Sequence, residues 1–178
     1  MRPQLASPVD ADDSSRLDFE DLVRRHQAMV FSIAYHFLQD RAAAEELAQD
    51  VFLQLYQHLP SLESSGHVTF WLRRVAAHRC IDYARRRKRP YVSLDAAPEP
   101  MREERGRDYF LSRRVRALIA ALSYKARLVV ILRYQEDLTP NEIAEATGMP
   151  VATVKSQLQR SLAMLRDKLV RAIGDQRP

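Results

Sequence analysis

Thr153, Lys155, Ser156, Gln159 and Arg160 bring hydroxyl, amide, ammonium and guanidinium donors together within two helical turns, away from the apolar residues of the same stretch. Such side chains break no bonds by themselves. They read base edges in a DNA major groove and hold phosphates. The same chemistry is denser between Trp71 and Arg89, where Arg73, Arg74, Arg79, Arg85, Arg86, Arg87, Lys88 and Arg89 are set against Asp82 alone. Five consecutive cations at 85–89 repel one another unless an anion lies alongside, and nucleic-acid phosphate is the polyanion that fits. A third set has the opposite character: Glu45, Glu46, Gln49, Asp50, Gln54 and Gln57 surround Leu53. Carboxylates repel phosphate, whereas an apolar anchor with an acidic and amide rim is a protein-docking pattern.

The elements that must position these groups read as helices. Thr139 suits a helix cap, Pro140 the first helical position and Glu142 the third, which satisfies orphaned backbone N–H groups. Ile143, Ala144 and Thr147 continue at helical spacing until Gly148, a residue that tolerates left-handed geometry, ends the helix. After Met149 and Pro150 a second helix starts near Val151, with Val154, Leu158, Leu162, Leu165 and Leu169 as its expected buried stripe. A short helix, a tight turn and a long helix with basic residues near its start make a helix-turn-helix of the DNA-binding kind.

Upstream, Phe19, Leu22, Val23, His26, Val30, Phe31, Ala34 and Phe37 predict one amphipathic helix, with His26 at the core edge. A second helix is expected over 42–58, with Ala44, Leu47, Ala48, Val51, Phe52 and Leu55 inward. Residues 60–69 read as a loop, followed by a helix carrying Phe70, Trp71, Leu72, Val75, Ala76, Cys80 and Tyr83, whose aromatics read as core. Pro90, Pro98 and Pro100 mark 90–110 as a flexible linker that spans about 65 Å when extended. A further pair of helices is expected from Leu111, the second capped by Ser123. The chain therefore divides into a disordered leader (1–16), a helical domain (17–89), the linker, a second helical domain (111–173) and a tail (174–178). The fold class expected is all-α, with two small helical domains and the helix-turn-helix in the second.

Composition narrows the functional classes. A chain of 178 residues can bury a core without staples, and Cys80 is its single cysteine. No apolar run reaches membrane-spanning length and no secretory leader is visible, so a cytoplasmic protein is expected. The excess of 28 Lys and Arg over 23 Asp and Glu matters because it is concentrated near the candidate DNA-binding residues. No Gly-rich phosphate loop, metal-spaced His/Cys set or nucleophile motif is present, which argues against an enzyme, a cofactor, a metal or a small-molecule substrate. A helix-turn-helix repressor would account for the C-terminal domain. It would not account for an acidic docking helix followed directly by a strongly basic one.

These segments resemble a bacterial RNA polymerase sigma factor of the extracytoplasmic-function group, the short members that keep the second and fourth conserved regions. "DRAAAEELAQDVFLQLYQHL" is similar to the polymerase-binding segment, "TFWLRRVAAHRCIDYARRRKR" to the promoter-melting helix, and "LTPNEIAEATGMPVATVKSQLQRSLAMLRDKL" to the fourth-region helix-turn-helix. The resemblance implies that Glu46, Asp50, Leu53 and Gln54 dock on core RNA polymerase. It implies that Ser64, Ser65, Gly66 and His67 capture an extruded base of the minus-ten element. Arg74, His78, Arg79, Arg85, Arg86, Arg87 and Lys88 would then follow the opening promoter DNA, and Thr153, Lys155, Ser156, Gln159 and Arg160 would contact the minus-thirty-five element. His78 stands where relatives commonly carry Asn, and Gln159 where some carry an aromatic, so the resemblance fixes neither these two local contacts nor the preferred promoter. An anti-sigma factor is the regulatory partner the family implies.

Overall fold

The computed structural model describes residues 18–62, 64–86 and 107–174, and their regular structure is entirely helical. Three helices form the first unit: α1 (Phe19–Leu38), α2 (Arg41–His58) and α3 (Ser65–Arg86). Local chemistry fixes the α1–α2 hairpin. The Asp18 carboxylate accepts the Glu20 N–H at 3.2 Å to start α1. Gln39 turns left-handed at φ 57°, and its N–H donates to the Tyr35 carbonyl at 2.8 Å to close that helix. Asp40 at once caps α2, accepting the Ala43 N–H at 3.1 Å. A single 3-10 turn (Leu59–Ser61) then leads toward α3.

Helix α3 starts earlier than expected. Ser65, Gly66 and His67 lie in its first turn rather than in a loop, because Ser64 caps it: the His67 N–H donates to the Ser64 hydroxyl at 3.2 Å and the Val68 N–H to the Ser64 carbonyl at 2.9 Å. The core of the unit is built from Leu22, Val30, Ile33 and Phe37 of α1, Leu47, Val51 and Leu55 of α2, and Val68, Leu72, Ala76 and Cys80 of α3. Burial pushes the Cys80 thiol up to about 12, so it remains protonated.

The second unit comprises α4 (Arg107–Ala120), α5 (Tyr124–Tyr134), α6 (Pro140–Thr147) and α7 (Val151–Gly174). Helix α4 begins at Arg107, four residues before the helix start expected at Leu111; no proline follows Pro100 there to break it. Ser123 caps α5 as expected, its hydroxyl accepting the Ala126 N–H at 3.4 Å. Along α7 the buried seam is Val154, Leu158 and Ser161, while Leu162 is 42% exposed. An expected position thus moves to the surface, since the seam of a straight helix advances by 3.6 residues per turn and reaches Ser161 first.

The two units pack on one another. Helix α6 lies against α3, and α5 against both α1 and α3, so that one apolar cluster runs through both units. Among the described residues, three polar ties are seen across the seam. Arg127 donates to the Phe37 carbonyl at the end of α1 at 2.6 Å, while also reaching the Ala120 and Leu122 carbonyls on its own side. The Gln135 amide donates to the Ser32 hydroxyl at 2.6 Å, and Arg73 Nε donates to Glu136 Oε2 at 3.0 Å.

Candidate nucleic-acid and protein interfaces

Helix α3 buries Val68, Leu72, Ala76, Ala77, Cys80 and Ile81 and turns Arg74, His78, Arg85 and Arg86 outward. Arg74, His78 and Arg85 fall at intervals of four and seven residues, so their side chains line one exposed edge. Burial lowers the His78 pKa most, and Arg74 and then Arg85 lower it further against the opposing pull of Asp82; the imidazole is neutral at pH 7. A neutral imidazole carries both a donor and an acceptor, which suits a base edge better than a phosphate. At the N-terminus of the same helix Ser64, Ser65, Gly66 and His67 are all exposed. The first-turn N–H groups there and the partial positive charge of a helix start offer donors to an electron-rich group. Arg87 and Lys88 lie outside the described residues.

Arg79 departs from that exposed edge. Its guanidinium turns back to α2, where the Gln54 side-chain oxygen accepts from both Nε and Nη2. A cleft of about 250 Å³ between the two helices is lined by Glu46, Asp50, Arg79, Asp82, Tyr83 and Arg86. The structure thereby brings acidic residues of α2 and part of the basic set of α3 into one cleft. Residues of α2 and α3 that the sequence assigned to different partners are neighbours.

Leu53 is 61% exposed on α2 and Tyr56 65%. Leu53 forms the rim of an apolar groove between α1 and α2, about 780 Å³, with Phe19, Val23, Phe31 and Phe52 along it. The Phe19 ring meets Tyr56 edge-on at 5.2 Å. Sequence reasoning found Leu53 but missed the groove, because Val23 and Phe31 continue the helical stripe of α1 and so read as core. Trp71 is only part-buried, with its ring 5.6 Å from that of His58.

In the second unit Thr139 and Glu142 form the expected reciprocal cap. The Thr139 N–H donates to Glu142 Oε2 at 2.7 Å, and the Glu142 N–H to Thr139 Oγ1 at 3.3 Å. The Thr139 hydroxyl and N–H hold the Glu142 carboxyl below its ordinary pKa. Gly148 takes φ 69°, and α7 follows after Met149 and Pro150. Lys155, Gln159 and Arg160 are exposed along the first half of α7. Thr153 and Ser156 are half-buried, and the Ser156 hydroxyl donates to the Thr153 carbonyl at 2.9 Å. Among the described residues no group of three or more His, Cys, Asp or Glu side chains could hold a metal ion, and no helix is long and apolar enough to cross a membrane.

Two family models match the chain: sigma-70 region 2 over residues 22–90 and sigma-70 region 4 over residues 112–165. An RNA polymerase sigma-E factor from Streptomyces coelicolor is 31% identical over 154 residues, covering 86% of this chain and 87% of that protein. The chain belongs to the extracytoplasmic-function sigma factors. The Bacillus subtilis ECF sigma factor SigW is 29% identical over 166 residues, 85% of this chain and 88% of its own. Among solved structures, the Bartonella quintana sigma factor RpoE, in complex with the anti-sigma factor NepR, shares the fold at a TM-score of 0.69 and 20% identity, covering 85% of this chain and 96% of that one. CnrH, in complex with the cytosolic domain of CnrY, does so at 0.62 and 20%, covering 86% and 88%. This sigma factor is a promoter-directing subunit of RNA polymerase.

Proposed function

We propose that the sigma factor divides its work among three surfaces. Helix α2 docks on core RNA polymerase, with Leu53 as the apolar anchor and Glu46, Asp50 and Gln54 as its polar surround. The capped start of α3 takes a flipped minus-ten base on Ser64, Ser65, Gly66 and His67, where short side chains and backbone donors can read its edge. Arg74, Arg85 and Arg86, with His78 and the following Arg87 and Lys88, hold the opening strand, and Arg79 joins them there when its guanidinium leaves Gln54 of α2. Thr153, Lys155, Ser156, Gln159 and Arg160 take the upstream element, with the three exposed members closest to the bases. Phosphodiester chemistry stays with the polymerase, and the protein works in the cytoplasm alongside it. An anti-sigma factor is proposed as the controlling partner; the structural neighbours solved with such proteins support that reading.

The observation that carries this reading is the placement of an exposed leucine in an acidic rim on the helix that packs beside the basic α3. Run-off transcription with purified core polymerase on genomic promoter fragments, with and without the protein, tests it. Discrete transcripts that depend on the protein are expected. DNA binding without polymerase-dependent initiation would favour a repressor.

A further inference from the structure

A cleft of about 220 Å³ lies where the end of α1 meets α4 and α5. Ile119 of α4 and the buried Val130 and Ile131 of α5 give it apolar walls. Its cation is Arg116 of α4, and among the described residues no Asp or Glu lines it. An apolar hollow with one charge and a few polar atoms is the usual make-up of a small-molecule site.

Arg116 differs from the other arginines nearby. Arg127 donates to the Phe37, Ala120 and Leu122 carbonyls, Arg133 to the Leu138 carbonyl at 3.2 Å, and Arg73 to Glu136. Arg116 Nε is shut off from solvent and finds no hydrogen-bond partner among the described residues. A guanidinium that has lost water on one side without gaining an acceptor is left at a cost, which an anion beside it offsets. The polar groups around it are held in place already. His36 Nδ1 donates to the Ser32 carbonyl at 2.8 Å, which leaves Nε2 as the remaining polar atom of the ring. The Gln39 amide donates to the His36 carbonyl at 2.7 Å and the Gln135 amide to the Ser32 hydroxyl at 2.6 Å. A site whose side chains are ordered beforehand loses less entropy when it is filled.

We propose that this cleft is a binding site for a small organic carboxylate, with its carboxylate on the Arg116 guanidinium and its apolar body against Ile119, Val130 and Ile131. The planar fork of a guanidinium matches a carboxylate through two parallel hydrogen bonds. An anion meets no lining carboxylate here, unlike the cleft between α2 and α3, where Glu46, Asp50 and Asp82 would repel it. Inorganic phosphate matches the charge but leaves the apolar walls uncovered, so the body of the ligand adds what the charge alone does not. The volume falls below the roughly 300–1,000 Å³ of sites for drug-sized ligands, which restricts the occupant to a small molecule. The cleft lies apart from Leu53, the outer edge of α3 and the first half of α7, so this assignment goes beyond the sigma-factor reading and does not depend on it.

Benzoate is the probe, titrated into the full-length chain with labelled Ile and Val methyl groups and followed by NMR. Saturable shifts at Ile119, Val130 and Ile131 with a Kd below about 1 mM are expected. Benzamide, which keeps the ring and lacks the charge, and acetate, which keeps the charge and lacks the ring, are each expected to bind at least about tenfold more weakly. Arg116→Gln should fold as the parent does, having no hydrogen bond at Nε to lose, and should weaken benzoate by at least about tenfold. Arg116→Lys, which keeps the charge and the aliphatic stem, should fall between the two and carries the test if the glutamine variant does not fold. No saturable shift at these methyls overturns the site. Benzoate bound equally by the parent and by a folded variant overturns the role of Arg116, and inorganic phosphate or acetate bound as tightly as benzoate overturns the apolar body. A short peptide ending in phenylalanine that binds more tightly than benzoate would make the occupant a polypeptide terminus and overturn the small-molecule assignment.

Discussion

Replacing Leu53 by alanine should weaken polymerase binding while leaving the fold almost untouched, and both effects follow from its exposure. Full burial of a leucine side chain contributes about 1.5–3 kcal/mol. Leu53 is 61% exposed, so about 1–2 kcal/mol of that burial remains for a partner to supply. Removing it should raise the Kd for core polymerase by about five- to thirtyfold, at about 1.4 kcal/mol per tenfold. The part already buried contributes less than about 1 kcal/mol to folding, a melting shift under about 4 °C in a chain of this size. Titration of labelled sigma factor with core polymerase measures the first quantity and thermal melting the second. A Kd within twofold of the parent would remove Leu53 from the interface. A melting point lowered by about 10 °C, more than twice the allowance above, would show that the residue belongs to the core instead.

Arg160→Ala should cost about 1–3 kcal/mol at one upstream base if the guanidinium reads it in a bidentate manner, seen as relaxed specificity in promoter-binding measurements across base substitutions; uniform loss across sequences would make it a phosphate contact. Gly148→Ala places a Cβ in open space but at φ 69°, so denaturant unfolding should show a loss of about 1–2 kcal/mol from backbone strain alone; no loss would mean the turn relaxes out of the left-handed region. The Glu142 carboxyl has its folded-state pKa lowered, so its contribution is complete above its unfolded pKa and is lost as pH falls through the folded value. Thr139→Ala should flatten that part of the acid-unfolding curve; an unchanged curve would assign the acid sensitivity elsewhere.

The helix-turn-helix was legible because its signals are local. A cap three residues before a glutamate, a proline at the first helical position and a glycine at the turn each act on the backbone within one or two turns, whatever the rest of the chain does. The start of α3 was misread for a related reason. Serine and glycine are weak helix formers, and Ser65 and Gly66 therefore looked like loop, although Ser64 supplies the cap that makes their helical geometry affordable. Nothing local distinguishes Arg73 from Arg74, since both carry the same charge on the same helix. Their different fates depend on Glu136, 63 residues away along the chain. The apolar groove beside Leu53 was hidden likewise: the stripe of α1 is wider than the face that α2 and α3 cover, and a stripe by itself does not say which of its members a neighbour will reach.

Cys80 is the only cysteine in the sequence, wholly buried in α3 with its thiol pKa at about 12. Oxidants and electrophiles react with thiolates that solvent can reach, and this sulfur is neither ionised nor accessible. The transcription subunit is thus chemically deaf to peroxide and disulfide stress in its folded form. If the genes it serves respond to oxidation, the oxidised atom belongs to another protein, and what reaches this chain is a change in who is bound to it.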